Sequence, residues 1–367
     1  MTLSEASTMH GEMAADENFR RCMRDDAPII ALAFIFFAAC LLLLWRSGVS
    51  IGLDSIGYNA EIYFDCAFFM LLADVLWPLA RFRPERPLAF LRQRYLSSGF
   101  FKRILAGMPM LFALIVFLPF FSQMKSLIPY FQPYTWDARL IEWDRALFLG
   151  HDAWQVLQPL IGYPVITFAI SSCYQLWILL LYAGCLYLCF YPVDRRIRRV
   201  FFMTFFLCWT VIGSALATAL SSVGPCFVGP MFGNSHFEPL LQYLRSVNET
   251  YPILALNVQE LLLQGYRNSS HGLGSGITAM PSMHVSIAFL FYLTMRRVSP
   301  FAKWLFLTFF VVILLGSVHL AYHYALDGIV SIVVTGALWK ASWLFFEASD
   351  RRRKSAAGPE PLLAPGS

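Results

Sequence analysis

The chain has 367 residues, of which 58% are hydrophobic and only 14% are charged, and its mean hydropathy is +0.58. A soluble domain typically carries about 25% charged residues, so this composition excludes an ordinary soluble protein and predicts a polytopic membrane protein. The formal net charge of +5 is small, and no basic domain stands apart from the apolar runs, which disfavours a nucleic-acid-binding protein.

The first 27 residues are polar and mixed in charge, and they lack the apolar core and cleavage pattern of a signal peptide. We therefore expect residues 1–27 to form an N-terminal tail. The eight cysteines include no C-x-x-C pair, and most of them lie in apolar runs, so neither a disulfide framework nor a thiolate metal site is predicted.

Eight apolar runs are candidates to cross the roughly 30 Å hydrocarbon core of a bilayer. They predict an all-α membrane helix bundle with spans near 28–45, 60–80, 104–121, 164–190, 200–221, 284–298, 302–320 and 324–346. Residues 347–367, which include the run "RRRK" from Arg351, are expected to form a disordered C-terminal tail.

Clusters of Lys and Arg test this count of spans. They lie at 20–24, 81–103, 195–199, 296–303 and 351–354, each on the same side of the predicted bundle. Because positive charge accumulates on the cytoplasmic side of membrane proteins, we expect these clusters and both termini to be cytoplasmic.

Two long connections, 122–163 and 222–283, lie on the opposite side. The first contains "YTWDARLIEWDRALFLGHDAW", with apolar residues at near-helical spacing, and the second contains "ILALNVQELLLQGY". Both are predicted to be helices that lie in the membrane interface. They either pack against the bundle or cover a lipid site; the pattern leaves both roles open.

The polar residues at span ends concentrate in "PSMH", which ends at His284, and in "SVHLAYHYALD", which contains His323 and Asp327. His323 follows His284 by 323 − 284 = 39 residues, about 58 Å of continuous helix and close to twice the thickness of the hydrocarbon core. The chain therefore crosses, turns at "RRVSPFAK" and returns, and we expect both histidines at the same level on the outer side.

His323 and Asp327 are four residues apart, which predicts that they share a helix face. The carboxylate would then accept one imidazole N–H and leave the other ring nitrogen free for attack. His284 follows Pro281 and Ser282 at a predicted helix start, where an anion is favoured. Taken singly, each residue has a simpler interpretation, and that of Ser282 is a helix N-cap.

"AMPSMH" and "SVHLAYHYALD" resemble two motifs of the type 2 phosphatidic acid phosphatase superfamily, P-S-x-H and S-x5-H-x3-D. The spacing of 39 residues and the stretch "WDARLIEWDRALFLG" resemble the inositol phosphorylceramide synthase-like branch. The resemblance implies that His323 attacks phosphorus and forms a phosphohistidine, that Asp327 orients it, and that His284 acts as acid and base. It also implies accessory helices at 28–121 and a catalytic membrane domain at 122–346.

Two basic residues of the superfamily motifs have no predicted counterpart in this sequence. The first motif, K-x6-R-P, finds no match on the outer side, since Arg83-Pro84 and Arg86-Pro87 lie in a predicted cytoplasmic connection. Val318 stands where the third motif often has arginine. We expect His319 and Ser282 to contribute to substrate binding, and we regard Arg245 and Arg267 as further candidates for offsetting phosphate charge.

The leading hypothesis is a lipid phosphotransferase that moves a phospho-headgroup, such as phosphoinositol, to a lipid alcohol such as ceramide, without a cofactor, metal or obligate protein partner. A lipid phosphate phosphatase is the main alternative. An intramembrane hydrolase with zinc on His284, His319, His323 and Asp327, and a transporter, remain open. A bacterial inner membrane is the expected location, with the site on the periplasmic (or lumenal) face.

Overall fold

Helices make up the regular secondary structure in the part of the chain that the structure describes, as the sequence predicts. The structure, a computed structural model, describes residues 3–49, 52–96, 100–269 and 273–356, without the side chains of residues 3–23, 354 and 356. The predicted all-α polytopic membrane bundle is confirmed.

Seven described helices contain a segment long and apolar enough to cross a membrane. They are α1 (Leu3–Arg46), α2 (Asp54–Phe82), α4 (Phe100–Ser126), α8 (Pro164–Phe190), α9 (Arg195–Leu207) with its continuation, α15 (Pro300–His319) and α16 (Ala325–Ala356). The continuation of α9 is a π-helix, Cys208–Leu216, followed by the single turn α10 (Ala217–Ala219).

The predicted span at 284–298 is a shorter helix than the others. It forms α14 (Met283–Met295), whose 13 residues rise about 20 Å and so fall short of the roughly 30 Å hydrocarbon core. Apolar side chains of α14 nevertheless pack against α15, α16 and α9 inside the bundle. The eight predicted spans thus correspond to seven long helices and one short, enclosed helix.

The connections contain shorter helices. At the end of the bundle that carries the two histidines, the histidine end, they are α5 (Ile128–Phe131), α6 (Asp137–Leu147), α7 (Ala153–Ile161), α11 (Pro225–Phe232), α12 (Glu238–Asn248) and α13 (Leu254–Arg267). The two connections therefore contain helices where the sequence predicts them. At the opposite end, the arginine end, α3 (Pro87–Leu96) joins α2 to α4.

The predicted tails are partly helical. Helix α1 begins at Leu3 and includes most of residues 1–27. Helix α16 continues to Ala356, so the predicted disorder of residues 347–367 is wrong for 347–356, and residues 357–367 lie outside the described chain. Glu347 and Asp350 form ion pairs with arginines of α9, which attach this part of α16 to the bundle.

Buried ion pairs hold the arginine end together. Arg198 of α9 donates to both carboxylate oxygens of Asp26 in α1 at 2.8 Å, and Arg199 contacts Asp350 of α16 at 2.9 Å. Removing one partner of such a pair leaves an uncompensated buried charge, which is strongly destabilising. These pairs therefore join α1, α9 and α16.

Helix α2 is attached to the bundle by a buried asparagine. Pro119 of α4 has no N–H, which leaves the carbonyl of Ile115 without its usual donor within the helix. Asn59 Nδ2 donates to that carbonyl at 2.7 Å, and the Tyr182 hydroxyl of α8 donates to Asn59 Oδ1 at 2.6 Å. The bonds fix α2 beside α4 and α8, so the predicted boundary at residue 121 falls inside a continuous unit.

Candidate active site

His323 and Asp327 form a buried pair where α16 begins. His323 Nδ1 lies 3.0 Å from Asp327 Oδ2, and the same oxygen accepts the backbone N–H of Tyr324 at 3.2 Å. His323 precedes α16, whereas Asp327 is its third residue, so the expected common helix face is wrong. The carboxylate instead reaches back over the first turn, as acidic side chains do in a capping box, and holds Nδ1–H while Nε2 stays available.

His284 stands opposite this pair. It is the second residue of α14, and its ring centroid lies 6.4 Å from that of His323. The ring stacks on Tyr174, with centroids 4.6 Å apart, and contacts Trp177 at 4.2 Å. The hairpin of α14 and α15 thus brings together the two histidines that are 39 residues apart in sequence.

Ser282 supports the two helix starts from behind. It is fully buried, and its hydroxyl accepts the backbone N–H of Val285 at 3.4 Å, which is the N-cap arrangement. Its own N–H points to the carbonyl of Asp327 at 3.4 Å. Ser282 therefore couples α14 to α16 and does not line the cavity that contains the histidines.

His319 lies apart from the pair. It is the last residue of α15, after which the chain turns, so it does not share a helix face with His323. Its Nε2 lies 2.9 Å from Thr167 Oγ1, and Thr167 in turn contacts the Tyr243 hydroxyl at 2.8 Å. His319 is absent from the cavity lining, and the described residues do not assemble the hypothetical zinc ligand set.

A cavity of about 380 Å³ joins the two histidines to the interior of the bundle. The polar part of its lining comprises Ser122, Lys125, Gln175, Ser275, Thr278, His284, Tyr322 and His323. Its apolar part includes Ile62, Leu118, Phe121, Ile178, Leu181, Tyr182 and Trp209. The cavity accordingly has a polar mouth at the histidine end and an apolar depth.

Helix geometry sets how deep the cavity reaches. Tyr174, which stacks on His284, and Tyr182 both line it and are eight residues apart in α8, or about 12 Å of helical rise. Lys125 and Leu118 of α4 are seven residues apart, about 10 Å. Such a shape matches a molecule with a polar head and an apolar tail.

Lys125 is a cation at the cavity that the sequence analysis did not predict. It lies near the end of α4, lines the cavity and is within electrostatic reach of His284. Arg245, by contrast, pairs with Glu238 at 2.7 Å, and neither Arg245 nor Arg267 lines the cavity. The missed signal is the spacing K-x6-Q-P from Lys125 to Pro133, in which Gln132 replaces the arginine of the first motif.

A glycine loop closes over the end of α4. Gly276 has φ +87°, and an added Cβ would come within 2.9 Å of the backbone N of Ser126. Gly274 donates its N–H to the Ser122 hydroxyl at 3.2 Å. Since only glycine permits this approach without strain, the loop packs directly against the turn that carries Lys125.

Two aspartates of α6 hold the segment around His323. Asp137 accepts the Tyr324 hydroxyl at 2.9 Å and the backbone N–H groups of Val223 and Gly224. Asp144 accepts the N–H of Leu326 at 3.0 Å, at the start of α16. The sequence predicted α6 as an interfacial helix but not this positioning role.

Burial raises the pKa of both aspartates. Burial raises the pKa of Asp144 to about 6, although hydrogen bonds from backbone N–H groups at the start of α16 oppose the shift. Burial likewise raises the pKa of Asp137 against the hydrogen bonds it accepts. Loss of contact with water favours the neutral carboxyl group, and accepted hydrogen bonds favour the charged one; here the first effect is the larger.

The described helices form an all-α membrane bundle that places a histidine–aspartate pair and a second histidine at an amphipathic cavity. Comparison with known families matches residues 138–341, more than half of the chain, to the PAP2 superfamily. The chain belongs to the PAP2 superfamily. Its members are phosphatases and phosphotransferases, which supports an enzyme of that class. No curated protein and no solved structure matches the chain.

The matched region includes His284, His323 and Asp327. It excludes α1, α2 and α4, and with them the cavity-lining residues Ile62 and Lys125. The cavity is therefore built by the matched region together with helices that precede it.

Proposed function

We propose that the protein is a lipid phosphotransferase that moves a phospho-headgroup, such as phosphoinositol from phosphatidylinositol, to a lipid alcohol such as ceramide. The observation that carries the proposal is the His323–Asp327 pair facing His284 across a cavity with a polar mouth and an apolar depth. Phosphate chemistry suits the mouth, and an acyl chain suits the depth.

In the first step, His323 Nε2 attacks the phosphorus atom and a P–N bond forms as the P–O bond to the leaving alcohol breaks. His284 gives its proton to the leaving oxygen. Asp327 keeps the Nδ1–H of His323 in place and stabilises the positive charge that develops on the ring. Lys125 offsets negative charge on the phosphate.

In the second step, His284 takes the proton of the acceptor hydroxyl, whose oxygen attacks phosphorus. The P–N bond breaks and His323 is restored. If water is the acceptor, the same steps make the protein a lipid phosphate phosphatase. The exposed Gly274 at the cavity mouth, which gives water a route to the site, favours this second candidate.

The location follows from the charge pattern. Arginines concentrate at the end opposite the histidines, and positive residues accumulate on the cytoplasmic side. We therefore place the arginine end and both termini in the cytoplasm and the site on the periplasmic or lumenal face, with a bacterial inner membrane as the proposed setting. Membrane lipids are the donor and acceptor, and no cofactor or obligate protein partner is proposed.

The test uses purified protein in nanodiscs that contain phosphatidylinositol with a labelled headgroup, with and without ceramide. The proposal expects a labelled ceramide product that depends on ceramide and disappears in His323→Ala. Release of inorganic phosphate from phosphatidic acid without any acceptor-dependent product would replace the transferase by the phosphatase. A matched control is His236→Ala, which removes a histidine outside the cavity lining.

A further inference from the structure

Among the described residues that line the cavity, two are exposed, and they lie in different environments. Gly274 belongs to the loop at the polar mouth, whereas Ile178 is in the middle of α8 and is 48% exposed. The apolar depth is otherwise closed, since Leu118 and Leu181 are buried. Ile178 therefore lies between the cavity and the outer flank of the bundle, whereas Gly274 lies between the cavity and the surroundings of the mouth.

Helices α2 and α8 meet on this flank of the bundle. Ile62 of α2 and Ile178 of α8 both line the cavity. Each lies about one helical turn from the Asn59–Tyr182 hydrogen bond that joins the two helices. Val258 and Leu262 of α13 line the cavity as well, on the side of the histidine end. The four lining residues named here are thus apolar and come from three helices.

The outer surfaces of these two helices, α2 and α8, are also apolar. Helix α2 exposes Tyr58 and Phe64, and α8 exposes Leu176 and Leu179. Because these helices have the length and composition of membrane spans, this surface faces hydrocarbon and not water. An acyl chain that passes here stays in an apolar environment throughout, whereas the polar mouth would bring it past Lys125 and through water.

We propose that the acyl chain of the substrate enters the cavity from the bilayer between α2 and α8, past Ile62 and Ile178, while its phosphate lies at the mouth. This inference rests on the proposed action on a lipid phosphate. It gives α2, which precedes the region matched to the PAP2 superfamily, the role of one side of a lipid entrance.

The chain offers a matched pair of variants for the test. Ile178 and its neighbour Leu179 are 48% and 50% exposed, but only Ile178 lines the cavity. Substitution to tryptophan at either position adds bulk on a lipid-facing surface, so both variants are expected to fold. The variants are Ile178→Trp and, as the control, Leu179→Trp. Ile62→Trp adds bulk at the proposed entrance from the other helix.

The first readout is kcat/KM for phosphate release or transfer from a long-chain phosphatidic acid in nanodiscs, divided by kcat/KM for a water-soluble short-chain analogue. The ratio should fall roughly tenfold in Ile178→Trp and in Ile62→Trp, and stay unchanged in Leu179→Trp. Equal losses for both substrates, or no change in the ratio, would overturn the entrance between α2 and α8.

The second readout does not depend on turnover. Phosphatidic acid with a photoreactive group at the end of its acyl chain is incubated with the protein, and the labelled peptides are identified. Labelling of α2 and α8 that is lost in Ile178→Trp supports the entrance even if no phosphate is transferred, in which case only the proposed function fails. Labelling confined to the loop around Gly274 overturns the entrance even if the enzyme is active.

Discussion

His323 Nδ1 and Asp327 Oδ2 are 3.0 Å apart, although His323 precedes helix α16 and Asp327 lies inside it. The same oxygen accepts the N–H of Tyr324, so the carboxylate caps the helix and orients the imidazole at once. The proposed nucleophile is therefore held by the helix that begins next to it.

Asp327→Asn should preserve the shape of the site but lower kcat by roughly 10³- to 10⁴-fold, because an amide no longer selects the Nδ1–H tautomer. Helix content and detergent-extracted yield should stay near those of the unchanged protein. The measurement is kcat on a lipid phosphate. The control is Asp74→Asn, which changes an aspartate of α2 toward the arginine end. Activity within threefold of the unchanged protein would contradict the orienting role.

His284→Gln tests whether His284 is the general acid, as distinct from the nucleophile His323. Loss of a general acid costs about 10²- to 10⁴-fold for a substrate with a poor leaving group. A substrate whose leaving group is a nitrophenol needs little protonation, so its rate of phosphoenzyme formation should fall much less. Equal losses for both leaving groups would show that His284 does not donate the proton.

Lys125→Met should weaken binding of the phosphate, raising KM about tenfold or more, because the cavity then lacks the cation near His284. Lys125→Arg keeps the charge and should recover part of that loss. Lys303→Met, at the arginine end, is the matched control. An unchanged KM in Lys125→Met would mean that another group offsets the phosphate charge.

Gly276→Ala should disturb the site more than Gly274→Ala. Both positions have positive φ, but only at Gly276 does an added Cβ meet the backbone of Ser126, whereas the space around Gly274 is open. The variant at Gly276 should therefore displace Lys125 and raise KM severalfold. Matching effects of the two variants would show that only the backbone conformation, and not the close contact, matters.

Asp144 predicts a dependence of stability on pH. Burial raises the pKa of Asp144 to about 6 in the folded protein, above the ordinary value of 3.8. The folded state then binds more protons between these values, so the contribution of Asp144 to stability is full below about pH 4 and is lost as the pH rises through 6. The loss is on the order of 2–3 kcal/mol by linkage.

Asp144→Asn removes that titration, and its melting temperature should fall less than that of the unchanged protein between pH 4.5 and 7. Glu142→Gln, an exposed neighbour on α6, is the control and should follow the unchanged protein. Identical pH profiles for Asp144→Asn and the unchanged protein would contradict a raised pKa at this position.

Much of the fold could be predicted from composition and periodicity. Long apolar runs identify membrane helices, and the 39-residue spacing of His284 and His323 identifies a hairpin, because the width of a bilayer fixes the length of a crossing. The spacing did not reveal where α15 ends. A turn after His319 places His319 against Thr167 and leaves His323 outside any helix, and spacing alone does not distinguish such a turn from a continuous helix.

The supporting residues were harder to predict, since their roles depend on contacts between distant segments. In the sequence, Asp137 and Asp144 are ordinary acidic residues of a predicted interfacial helix. Their contacts with Tyr324 and Leu326 are known only from the fold. Lys125 does not match the first motif, because Gln132 stands at the position where K-x6-R-P has arginine. Among the described residues that line the cavity, Lys125 is the only lysine or arginine.

The central claim is that His323 carries the phosphoryl group during turnover. The most direct measurement is to mix the enzyme with ³²P-labelled lipid phosphate, stop the reaction within one turnover under alkaline conditions that preserve phosphohistidine, and identify the labelled peptide by mass spectrometry. The account predicts label on His323 that is acid-labile, forms before product and is absent in His323→Ala. Label on His284, or turnover without any labelled enzyme, would contradict it.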